Sequence, residues 1–71
     1  MRCKMICRSI EKTTYGTNVK FQPVSDGSPE NKAFFKATPG GECCLNVVNE
    51  DAVKDLEVGG SYYVDFTLAP K

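Results

Sequence analysis

Apolar and polar side chains alternate along much of the chain, and that alternation organises its reading. Over residues 2–10, Cys3, Met5 and Cys7 fall on one side and Arg2, Lys4, Ile6 and Arg8 on the other, the period of a half-buried strand. Glu11 to Gly16 carries turn chemistry. A second strand follows over about 17–24, with Val19 and Phe21 inward and Asn18, Lys20 and Gln22 outward. Pro23 has no backbone donor, which predicts a strand terminus or an open edge there. Ser25 to Asn31 reads as an exposed loop. Over 32–38, Ala33, Phe35 and Ala37 alternate with Phe34 and Lys36, predicting a third strand, and Pro39-Gly40-Gly41 reverses the chain into a fourth over 42–48. In that strand Cys43, Leu45 and Val47 share a face. Asn49 as N-cap, the acids Glu50 and Asp51, and an apolar stripe of Ala52, Val53 and Leu56 predict a short helix over 50–56. Beyond Gly59-Gly60 a fifth strand, 61–69, sets Tyr62, Val64, Phe66 and Leu68 on one face against Tyr63, Asp65 and Thr67.

This order predicts a mainly β fold occupying residues 1–71 as a single small domain. Five short antiparallel strands fit a small barrel or strongly curled sheet, of the oligonucleotide-binding-like or SH3-like kind, with one short helix before the last strand. The expected core is Cys3, Met5, Cys7, Val19, Phe21, Phe35, Leu45, Val47, Val64 and Phe66.

Composition narrows the function. The chain has 71 residues and no His, which excludes Ser-His-Asp and Cys-His nucleophilic sites and mixed Cys/His zinc sites. No apolar run approaches the ~20 residues of a membrane span, and the first residues lack the apolar stretch of a secretory signal. A cytoplasmic location with no membrane partner is expected. The formal net charge is zero, but it is unevenly spread. Residues 1–37 hold seven bases (Arg2, Lys4, Arg8, Lys12, Lys20, Lys32, Lys36) against three acids (Glu11, Asp26, Glu30), and the remainder is correspondingly acidic. Such polarity steers charged partners and lets two copies dock end to end.

Candidate chemistry is sparse. Cys3 and Cys7 lie ~13 Å apart along a strand at ~3.3 Å per residue, too far to share an ion. Cys43 and Cys44 point to opposite faces, so Cys3, Cys7 and Cys43 read as small buried hydrophobes. Asp65, the one acid inside a strand, reads as a solvated or cross-strand-paired carboxylate beside Tyr63. The glycine pairs 40–41 and 59–60 lack the context of a phosphate loop. No catalytic, cofactor or metal residue is predicted, and the chain reads as non-enzymatic. One surface stands out: the outward faces of the first three predicted strands gather Arg2, Lys4, Arg8, Lys20 and Lys36 with Asn18, Gln22 and Phe34. Cations interleaved with an aromatic suit single-stranded nucleic acid or a protein partner. Tyr15 and Tyr63 are further aromatic anchors, since such residues are enriched in interface hot spots.

Two segments carry a resemblance. Residues 30–41, E-N-K-A-F-F-K-A-T-P-G-G, and 58–69, V-G-G-S-Y-Y-V-D-F-T-L-A, are similar in order and spacing to E-N-K-x-F-x-K-x-T-P-x-G and P-G-x-x-Y-Y-V-D-F-T-P-A. That pair resembles small uncharacterised proteins of tailed bacteriophages and prophages. Val58 and Leu68 stand where the pattern has Pro. The resemblance implies a phage origin, a compact β domain and residence in the host cytoplasm, without implying an activity. Three functions follow as expectations: stoichiometric binding to a host or phage protein, for example to block a defence or a polymerase; single-stranded nucleic-acid binding; or a structural, particle-decorating role. Self-association into a homodimer or small homo-oligomer is expected through the edge near Pro23 and through Phe34.

Overall fold

The computed structural model describes all 71 residues. The two N-terminal strands form, β1 over Arg2–Thr13 and β2 over Gly16–Pro23, but β1 runs three residues into the stretch read as turn: Glu11, Lys12 and Thr13 pair with Asn18, Thr17 and Gly16, and the turn itself is only Thr14–Tyr15. Gly16 closes that turn at φ +136°, and a Cβ there would lie 2.9 Å from the Val47 carbonyl oxygen. Both the backbone conformation and the close approach demand glycine.

The predicted third strand is a helix. Residues Pro29–Ala37 form α1, and the start signal lies in the stretch read as loop. Ser28 Oγ accepts a hydrogen bond from the Asn31 N–H at 3.1 Å, Pro29 occupies the first turn, Glu30 sits at the positive end of the helix dipole and Lys36 at the negative end. These are the residues a helix N-terminus and C-terminus favour. The alternation of Ala33, Phe35 and Ala37 spans too few residues to separate a strand from a helix. Pro39-Gly40-Gly41 accordingly links a helix to a strand and makes no hairpin.

β3, Cys43–Val47, α2, Glu50–Val53, and β4, Ser61–Asp65, complete the chain. α2 is shorter than predicted but capped as expected, with Asn49 Oδ1 accepting from the Asp51 N–H at 3.0 Å. The last strand stops at Asp65, leaving Phe66 and Leu68 exposed beyond it. The four strands form one antiparallel sheet in the order β3-β2-β1-β4. The sheet is open, not the closed five-stranded barrel expected, and β2, with Pro23 at its terminus, is an interior strand.

A register shift between Cys7 and Ser9 leaves Arg8 as the extra residue of a β-bulge. The bulge reverses the alternation. Cys7 pairs with Phe21 and Ile10 with Val19, so both β1 residues face the core although they are three positions apart. The main core lies on one face of the sheet, where Cys3, Met5, Cys7, Val19 and Phe21 cluster; Val24, also buried, lies outside that cluster, its N–H donating to the Lys4 carbonyl. Val53 and Leu56 pack over the cluster from the crossover between β3 and β4, and Tyr62 meets Phe21 edge-on at 5.8 Å between ring centroids. Val47 and Val64 are half-buried against this cluster. Phe35, Leu45 and Phe66, expected inside, are 40%, 50% and 59% exposed. Phe35 rides on a helix instead of a strand, Leu45 sits on an edge strand whose Cys43 and Val47 reach the core cluster while it stays half-exposed, and Phe66 lies past the end of β4.

Candidate interaction surface around Tyr63

The register of β1 against β4 sets Arg2 opposite Asp65 and Lys4 opposite Tyr63 on the face away from the core. Cross-strand neighbours on one face lie within side-chain reach, and both pairs interact. Arg2 donates from Nε to Asp65 Oδ1 at 2.7 Å and from Nη2 to Oδ2 at 3.1 Å. Its guanidinium also lies 4.8 Å from the centroid of the Tyr63 ring, a cation–π arrangement. Asp65 is thus the cross-strand-paired carboxylate the sequence suggested.

α1 supplies the third side. Glu30 and Phe34 stand one helical turn apart and so share a helix face. Lys4 Nζ donates to Glu30 Oε2 at 2.6 Å, and the Tyr63 hydroxyl donates to both Glu30 oxygens at 2.9 and 3.0 Å. Phe34 tilts against the Tyr63 ring with centroids 6.1 Å apart. Tyr63 nevertheless remains 50% exposed. It is a ring held on three sides and open on the fourth.

Electrostatics follow from these contacts. Hydrogen bonds from Lys4 and then Tyr63 hold the Glu30 carboxyl below the usual carboxylate range. The hydrogen bond from Arg2 does the same for Asp65, and the Asp65 carboxylate raises Arg2 in turn. Glu30 is therefore a poor proton acceptor near neutrality. Cys44, on β3, is pushed above the ordinary thiol range by desolvation and by neighbouring Glu42.

Of the residues singled out from the sequence, the fold brings together Arg2, Lys4, Phe34 and Tyr63. Arg8, Lys20, Lys36 and Tyr15 stand apart. Arg8 donates to Gln22 at 3.1 Å, Lys20 lies 3.4 Å from Glu42, and Lys36 is exposed in the last turn of α1. Tyr15 occupies the hairpin tip, 84% exposed, the whole length of β1 away from Arg2. The continuous basic strand face is corrected by the helix at 29–37, which removes Phe34 and Lys36 from the sheet. Three of its cations, Arg2, Lys4 and Lys20, are each paired with an acid. Sequence reasoning missed Glu30, the residue that joins the cluster. Its signal was the helix start Ser28-Pro29-Glu30.

Compared with known proteins, the chain matches no family model, no curated protein and no solved structure. No helix is long and apolar enough to cross a membrane.

Proposed function

We propose that this chain is a non-enzymatic accessory protein, of tailed-phage origin as its sequence resemblance implies, that acts by stoichiometric binding to a host or phage protein through the surface around Tyr63. The observation that carries the reading is the state of that ring. It is half-exposed, yet Glu30, Arg2 and Phe34 hold it in one orientation. An aromatic ordered before binding loses little conformational freedom when a partner covers it, and a central aromatic ringed by polar groups is the anatomy of an interface hot spot. Single-stranded nucleic acid is the less favoured partner, because the acids paired with Arg2, Lys4 and Lys20 interrupt the cationic track that phosphates require.

Affinity capture from infected host cells, with wild-type and Tyr63→Ala baits, tests this. One protein is expected to be recovered in equimolar amount by the wild type. In titration with the purified partner, Tyr63→Ala is expected to bind about 30-fold more weakly, the cost of a hot-spot aromatic. Fluorescence anisotropy with labelled single-stranded DNA is the counter-test. Tight binding that falls steeply with salt, unchanged by Tyr63→Ala, overturns the reading.

A further inference from the structure

The sheet presents three open stretches of strand edge, and two of them are guarded. The distal half of β1, beyond the end of β4, carries Arg8, Glu11 and Lys12 and the bulge at Arg8. β4 carries Asp65, clamped by Arg2. Charges and bulges on an edge oppose pairing with another chain. β3 has neither: Cys43-Cys44-Leu45-Asn46-Val47 contains no charged residue, no proline and no register shift against β2. The acid that precedes it, Glu42, is drawn to Lys20.

We infer that β3 is the two-fold contact of a homodimer, in which β3 of one copy pairs antiparallel with β3 of the second about Leu45 and the two sheets become one of eight strands. The strand is self-complementary in that register. Leu45 meets Leu45 of the other copy, Cys43 meets Val47, and Cys44 meets Asn46. Because Cys43, Leu45 and Val47 pair with the core-side residues Phe21, Val19 and Thr17 of β2, the apolar row runs unbroken from one core to the other. Leu45, 50% exposed in the single chain, gains the cover it lacks. No charge opposes a like charge, since Glu42 lies opposite Val48, itself 76% exposed. An isologous contact of this kind closes on itself and stops at two copies.

The surface area agrees. The chain exposes 5385 Å², where a compact monomer of 7.8 kDa exposes about 4,400 Å². The excess, roughly 1,000 Å², is spread over the surface, and Leu45 and Val48 at the β3 edge are among the large apolar side chains that contribute to it. The radius of gyration, 13.3 Å, likewise exceeds the ~11 Å of a compact chain of this length. The inference concerns the edge opposite Tyr63 and stands independently of the partner proposed there.

Light scattering coupled to size exclusion, run from one to several hundred micromolar, tests it. The expected mass is twice that of the chain. Leu45→Lys, which sets two cations against each other on the axis, is expected to give a monomer whose circular dichroism matches the wild type. Should that variant fail to fold, Leu45→Cys in a Cys44→Ser background supplies the register. Mild oxidation with oxidised glutathione is expected to link Leu45→Cys across the axis, and a Val58→Cys control in the same background is expected to stay unlinked. A mass of one chain at every concentration, species larger than a dimer, or a Leu45→Cys variant that does not cross-link would each overturn the inference.

Discussion

Glu30 joins segments that are distant in sequence: it receives Lys4 from the first strand and Tyr63 from the last. Its side chain is exposed to water, so the pair adds little to stability, but it fixes the orientation of Tyr63. The ionised form is favoured in the folded chain, since the Glu30 and Asp65 pKa values are both lowered. Their contribution is therefore complete above the ordinary carboxylate range of about pH 4–4.5 and is lost as pH falls through the depressed folded values. Replacing Lys4→Met removes the larger of the two hydrogen-bond effects on Glu30. NMR titration of the Glu30 carboxyl is expected to move its midpoint upward in that variant and to leave Asp65 unmoved. At this scale the sequence was half legible. Arg2, Lys4 and Tyr63 announced themselves by type and phase, Phe34 by type alone since the strand phase assigned to it belongs to a helix, and Asp65 by its place beside Tyr63. Glu30 did not, because a carboxylate in a polar run looks like any solvated acid until the helix beneath it is known.

Among the elements, α1 separates what local signals decide from what they leave open. Alternation located β1, β2, β3 and the start of β4 because one face of each strand carries the more apolar row, turned toward the core cluster. Where the alternating run was short, capping chemistry was the better guide, and Ser28-Pro29-Glu30 marks a helix start more firmly than Ala33, Phe35 and Ala37 mark a strand. Ser28→Ala removes the acceptor for the Asn31 N–H and is expected to cost about 1 kcal/mol, read as a lowered urea midpoint with unchanged slope. The loss should fall on the helix: amide exchange is expected to quicken across α1 and to stay slow in β1 and β2. The bulge at Arg8 was not legible, since an extra residue in a strand is decided by its partner's register. The edges were not legible either. Strand order depends on the two crossovers, and a prolyl residue at the end of a strand looks the same whether that strand is central or peripheral.

For the molecule as a whole, the decisive feature is thinness. The chain measures 38 × 33 × 19 Å, one sheet with a partial second layer, and seven residues are buried. A core this small supplies no more than about 3–5 kcal/mol. Phe21→Ala, at its centre, costs about as much by itself, so that variant is expected to show no cooperative thermal transition. Phe66→Ala is expected to stay within about 0.5 kcal/mol of the wild type, because that residue is mostly exposed beyond β4. The sheet order has one more consequence. β3 and β4 are the two outermost strands, so pairing through β3 turns both Tyr63 clusters outward. At ~4.8 Å per strand, seven spacings set them roughly 34 Å apart at the two ends of a twisted sheet. Such a dimer is bivalent. A target that presents two copies of its own surface at that distance is gripped at both ends, and avidity strengthens the hold by roughly 10²–10⁴ over either contact alone.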